Sequence, residues 1–244
     1  MRSVVAIILL GIISAVQIRA AQNPARQELI DRIKINRALF AQWDSGRDLR
    51  QDAAKKNGDV AFAITNDEAL PVCPQCDPNN PEGNPYFEAT VKNSDLIAVG
   101  KVVRNISALS KNHSVVITDS QFLITDVWKA PPLSAIHAEP ESEVTVATVG
   151  GTVFLDGHQI SSFLTNTQSL RTGHTYILFL KYIPQSHSYK YVHLDIDGYD
   201  LTGSEVYPLD KGASLPFPAM IANPAKFLAA LKVSVIRSLH SEGE

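Results

Sequence analysis

Two groups of residues have the types and spacing for chemistry. Cys73 and Cys76, the only cysteines of the 244-residue chain, stand in the stretch "PVCPQCDPNNPEGNP". That spacing can serve a thiol redox pair, half of a zinc site, or a disulfide-closed loop. A reactive dithiol needs a helix start after its first cysteine, because the helix dipole lowers the thiol pKa. Pro78, Pro81, Gly83 and Pro85 follow instead and speak against a helix there. A c-type haem needs His directly after the second cysteine, and Asp77 occupies that place. Structural zinc needs two further ligands, and no second cysteine pair exists. In an exported chain the preferred reading is a Cys73–Cys76 disulfide, with metal, redox and free-thiol readings left open.

The second group is "YVHLDIDGYD". In a strand, His193, Asp195 and Asp197 share one face, and an imidazole with two carboxylates can hold a divalent cation. Asp200 could join after a turn at Gly198. The same alternation also describes the wet face of a half-buried strand, and that plainer reading is preferred. The remaining histidines have no ligand spacing, and no G-x-S-x-G, Walker or G-x-G-x-x-G motif occurs. A triad dispersed along the chain stays open, since its members need only meet in space.

The elements that must position these residues fall into sections. Residues 1–20 have a basic start at Arg2, an apolar run from Val4 to Val16 and Ile18–Arg19–Ala20 before a cleavage point, the pattern of a secretory signal peptide. The run is too short to span a bilayer comfortably, so no stable membrane insertion is expected after cleavage. Secretion or a periplasmic location follows. The chain has 22 Lys and Arg against 25 Asp and Glu; without Arg2 and Arg19 the balance is 20 against 25, a net charge of −5. The basic residues are scattered, whereas a phosphate-binding surface needs them clustered, so nucleic acid is not an expected partner.

Residues 21–44 read as a helix from Pro24 to Trp43, with Leu29, Ile30, Ile33, Phe40 and Trp43 on its apolar side. Residues 45–85 read as a polar, then Pro-rich, linker. From 86 to 210 the texture is β: Ser94–Val103, Ser114–Lys129, Glu143–Val149, Thr152–Leu155, Thr175–Ile183 and Tyr189–Ile196 are rich in β-branched and aromatic residues. Alternation slips near Asp119–Ser120 and suggests a bend or bulge there. Gly100 suggests a bulge. Val149–Gly150–Gly151–Thr152 reads as a two-residue hairpin or, alternatively, a glycine bulge within one bent strand. Long bent strands and few helices predict a small closed barrel. In residues 211–244, Asn223 and Pro224 open a helix with Phe227, Leu228, Leu231, Val235 and Leu239 on its apolar face.

"NSDLIAVGKVV" (Asn93–Val103) resembles the first barrel strand of netrin-like modules, the OB-fold family that includes the tissue inhibitors of metalloproteinases. "VWKA" (Val127–Ala130) and "GHTYILFL" (Gly173–Leu180) resemble later family segments, in the expected order. The resemblance spans Asn93 to about Ile183 and implies an OB-like β-barrel. The family's inhibitors chelate protease zinc through an N-terminal Cys-x-Cys, with the α-amino group and carbonyl of the first cysteine. Here Cys73 lies inside the chain with Cys-x-x-Cys spacing, and the family's barrel disulfides are absent.

The expectation is therefore a mainly β, OB-like barrel flanked by an N-terminal helix with linker and a C-terminal helix. The favoured function is an exported, non-catalytic module that binds an unidentified protein partner through barrel loops, Asn105–Ser114 and Ala130–Ser142, and needs no cofactor. The alternatives are a metal-dependent hydrolase using His193, Asp195 and Asp197, and a structural cell-envelope component. Asn105 and Asn112 each open a glycosylation sequon.

Overall fold

A computed structural model of the chain describes residues 24–43, 45–64, 85–131, 138–192, 197–210 and 220–240. The expected signal peptide, the Cys73–Cys76 pair, His193, Asp195 and residues 132–137 of the Ala130–Ser142 loop lie outside the described residues. The fold is mainly β, with a large sheet and a helix at either end.

Two long strands form its spine. Strands β2 (Leu96–Leu109) and β3 (Val116–Lys129) pair antiparallel from Leu109↔Val116 to Ile97↔Lys129. Strand β4 (Glu143–Val149) continues antiparallel to β3, and β7 (Thr175–Ile183) lies antiparallel to β2 on its other side. Strand β8 (Ser188–Tyr191) turns back along β7 and meets β4 in parallel at Val146↔Tyr189. The pairing thus runs β7–β2–β3–β4–β8 and returns to β7. Two short strands, β9 (Gly198–Asp200) and β10 (Tyr207–Pro208), extend the β7 edge.

The spine bends at three register shifts, beside Ile97/Ala98, Val99/Gly100 and Val102/Arg104. Gly100 sits at one of them, as its sequence context suggests, and close approach is the reason. A Cβ there would overlap the Leu123 carbonyl oxygen and the Phe122 ring. A bulge at Asp119–Ser120 does not occur: the register with β2 and β4 is continuous through both residues. The alternation slips because Asp119, Ser120 and Gln121 are polar yet buried on both faces of the strand.

Side chains divide by face. Ala98, Val102, Phe122, Ile124, Val146, Leu178 and Tyr189 form one buried cluster. On the opposite face, Ile97, Val99, Ile177 and Phe179 are covered by two helices, α3 (Pro85–Asn93) and α4 (Pro224–His240). Asn223 caps α4 as expected, its Oδ1 accepting the Lys226 N–H at 3.1 Å. Phe227, Leu231 and Val235 then lie fully buried on β2 and β7, each worth about 1.5–3 kcal/mol of burial.

The polar stretch read as linker is partly structured. It carries α2 (Leu49–Lys56) and strand β1 (Val60–Ile64). The Asp48 side chain accepts the Gln51 N–H and so starts α2, which also holds the Asp48 carboxyl below its ordinary range. Strand β1 lies parallel to β6 (His158–Leu164), which pairs antiparallel with β5 (Gly151–Leu155). This second sheet corrects the hairpin reading of Gly150–Gly151. Strands β4 and β5 do not pair with each other; the chain leaves one sheet and enters the other there. Both glycines have positive φ, 112° and 130°, and a Cβ on Gly151 would overlap Thr118 Oγ1. The real two-residue hairpin joins β5 to β6 through Asp156 and Gly157, both at positive φ.

Gly100→Ala is expected to lower stability by about 2–3 kcal/mol, because the added methyl meets backbone and a packed ring. Gly203→Ala, where a Cβ finds its nearest neighbour at 3.8 Å, should change stability by less than about 0.5 kcal/mol. Urea unfolding of the two variants checks the contrast.

Candidate functional site

The N-terminal segment seats only the far end of the apolar stripe that its sequence shows, Phe40 and Trp43, while Leu29 and Ile33 are half-buried and Ile30 is exposed. Helix α1 (Pro24–Leu39) continues into a 3-10 turn, Phe40–Gln42. Ile30 is 37% exposed, and the only fully buried side chain between Gln27 and Leu39 is Asn36. The line that faces the strands is Arg32, Asn36 and Phe40, spaced by four. Phe40 enters an apolar cluster with Ile117, Ala147, Val149 and Ile183. The two polar members meet polar partners. Asn36 Nδ2 donates to Asp119 Oδ1 at 2.9 Å. Arg32 donates through Nη1 to Thr145 Oγ1 and pairs through Nη2 with Glu28 at 2.8 Å. Gln121 Nε2 reaches the same Thr145 hydroxyl at 3.1 Å. Burial pushes the Asp119 carboxyl up to about 6, although the Asn36 bond and the Arg32 charge pull it down.

The same segment covers the β2–β3 turn. The stretch Asn105–Ser114, expected as a free loop, is the end of β2 followed by a tight turn. Lys111 N–H donates to Arg37 O at 2.9 Å, Asn112 Nδ2 to Ala41 O at 3.0 Å, and Ser45 Oγ to Ser114 O at 2.8 Å. Leu49 N–H donates to His113 O at 3.0 Å. The first sequon asparagine is tied down as well, its Nδ2 bonded to Leu170 O.

Between the end of α1 and the β7–β8 hairpin lies a groove of about 330 Å³. Leu39, Phe40 and Trp43 form one wall, and Tyr182, Ile183 and Pro184 the other. Tyr182 is held by its OH, 2.8 Å from His187 Nδ1, and by a tilted ring contact with Tyr189 at 5.3 Å. Gln42, Gln185 and Lys190 line the groove with polar groups. Lys190 projects from the outer face of β8, half-buried, and no carboxylate among the described residues pairs with it. Apolar and aromatic walls, two carboxamides and an ammonium suit an apolar side chain flanked by a carboxylate.

Of His193, Asp195 and Asp197, Asp197 alone is described. It is buried rather than on a wet face, its carbonyl accepting the Phe179 N–H at 3.1 Å. Burial first, and then the Asp197 charge, hold the Tyr191 phenol well above its ordinary range. Asp200 lies elsewhere, with Oδ2 2.8 Å from His174 Nδ1 and Oδ1 accepting the Thr202 N–H. His174 stacks on Tyr176, whose phenol burial pushes up to about 12. This His–Asp pair joins the ends of β7 and β9, and no hydroxyl or thiol among the described residues bonds its ring. Among the described residues no three His, Cys, Asp or Glu side chains gather in a metal-holding group, and no helix is long and apolar enough to cross a membrane. Comparison with known proteins finds no matching family model and no significantly similar curated protein.

Sequence reasoning missed the groove because its walls come from segments more than 130 residues apart. The usable signal was the polar pair Arg32 and Asn36 in line with Phe40. Phe40→Ala is expected to cost about 3–5 kcal/mol and to open residues 24–43 to proteolysis. Lys190→Ala should leave stability within about 0.5 kcal/mol. Thermal unfolding with limited proteolysis checks both.

Proposed function

We propose that the chain is an exported, non-catalytic binding module on an OB-type barrel of netrin-like kind. The observation carrying the binding reading is the apolar groove with Lys190 at its side, and its occupant is a protein segment that offers an apolar or aromatic side chain next to an Asp or Glu. The barrel reading is supported by the order of pairing: a β2–β3–β4 meander, β7 beside β2, and β8 antiparallel to β7 but parallel to β4. Five strands in that arrangement suit an OB-type ring. Export rests on the composition of residues 1–20.

This reading moves the partner site from the β2–β3 loop, which the chain's own N-terminal segment covers, to the groove beside that segment. A pocket of this size accepts one or two side chains of an extended peptide, with the ammonium fixing orientation. The hydrolase alternative needs His193, Asp195 and Asp197 together on one face, and the buried Asp197 lends it no support.

Short peptides pairing Trp, Phe or Leu with an adjacent Asp should bind saturably, read by fluorescence of Trp43 in a Trp128→Phe background. Lys190→Glu should weaken that binding about tenfold, and the neutral Asn-containing peptides should bind less well. Binding indifferent to Lys190, or none at millimolar peptide, contradicts the reading. Metal analysis of the purified chain should find no stoichiometric ion; an ion lost in Asp195→Ala would favour the hydrolase instead.

A further inference from the structure

The seat of α1 holds an unbalanced set of hydrogen-bonding groups. Asn36 and Asp119 face each other across the helix–strand interface, joined by the single bond from Asn36 Nδ2 to Asp119 Oδ1. Asn36 is fully buried and Asp119 is 2% exposed. Their second oxygens, Asn36 Oδ1 and Asp119 Oδ2, are both buried and have no partner. An ionised carboxylate can only accept, so two neighbouring buried acceptors would be left without a donor, each costing about 1–3 kcal/mol. One proton on Asp119 Oδ2 removes both deficits. The acid O–H donates to Asn36 Oδ1 while the amide N–H donates to Asp119 Oδ1, closing a two-bond ring between side chains.

We propose that this one proton latches α1 onto the β3–β4 face, holding the helix tightly in mild acid and loosely at neutral pH. No apolar side chain of α1 between Gln27 and Leu39 is fully buried, so the helix depends on this polar contact more than a helix with an apolar seat would. Burial holds the proton against the Arg32 charge, which favours the ionised form. The Arg32 charge bears on Asp119; its Nη2 pairs with Glu28 and its Nη1 donates to Thr145, while its buried Nε has no partner. Asp31 and Lys34 lie exposed on the outer side of α1. On the strands, Ile106 and Ala147 flank Asp119 in register, and Arg104, opposite Gln121, is exposed. Asp197, the other buried carboxylate among the described residues, belongs with Tyr191.

The direction follows from burial. Burial pushes the docked carboxyl up from its ordinary 3.8 to about 6. A group raised in this way contributes its full stabilisation below the ordinary value and loses it as pH climbs through the raised one. Leu39 ends α1, and Phe40 and Trp43 follow it, so the latch governs one wall of the groove. The latch itself does not depend on what occupies that groove.

The test is amide hydrogen exchange of residues 27–39 in the intact protein, corrected for the intrinsic pH dependence of exchange. Protection should be about tenfold greater at about pH 5 than at about pH 7.5. Asp119→Asn supplies the missing donor permanently through its Nδ2 and should show the same protection at both values. Asp119→Leu, which lacks any titrating group, should also be flat and serves if the Asn variant does not fold. Wild-type protection that does not change over this range overturns the latch. So does a tenfold change that persists in either variant.

Discussion

The structure depends on the antiparallel pairing of two fourteen-residue strands, β2 and β3. Strands of that length cannot stay flat, because each carries the right-handed twist of L-residues. Here three register shifts take up the curvature, and Gly100 permits the closest approach. Bending lets one pair of strands serve several covers at once. Near Ile97 and Val99 the outer face takes α3 and α4, and near Ile117 and Asp119 it takes the N-terminal segment. Beyond the Gly150–Gly151 corner, the far end of the spine packs against the second sheet and α2. The bent pair also allows β8 to meet β7 and β4 together, which returns the pairing to its start.

The covers differ in what holds them. Helix α4 is seated by Phe227, Leu231 and Val235, a non-directional contact insensitive to pH. Helix α1 is seated by Arg32 and Asn36 on Asp119 and Thr145, with the apolar anchor at Phe40 beyond its end. Polar seats are directional, and they gain or lose their value according to whether every donor and acceptor is matched. The element with the least apolar seat therefore stands next to the groove, where a change in its docking alters a binding surface.

Much of the β architecture was legible because strand residues are β-branched and aromatic and the breaks between them carry Gly and Pro. The spans around Leu96, Val116, Glu143 and Thr175, the Asn223–Pro224 helix start and the irregularity at Gly100 all rest on local chemistry. What stayed hidden depends on distant partners. Asp119 and Gln121 look like solvent-facing breaks in an apolar strand, and only a polar helix face eighty residues earlier makes them interior residues. The stripe Leu29–Ile30–Ile33 looks like the seat of α1, yet Ile30 faces solvent because the opposing strand face is polar there. The segment after Gly46 looks like linker because α2 buries only Leu49 and Ala53. In the same way the hairpin reading of Gly150–Gly151 was locally sound, and the sheet change that replaced it is set by contact with Thr118.

A polar seat centred on a protonated Asp119 joins α1 to β3. Carbon-13 NMR of the Asp119 side-chain carboxyl in the intact protein, followed through a pH titration, reads that seat directly. A midpoint of about 6 is expected, with the protonated form dominant below it. A midpoint in the ordinary carboxylate range near about 4 would contradict it, since Asp119 would then be ionised where Asn36 Oδ1 needs a donor.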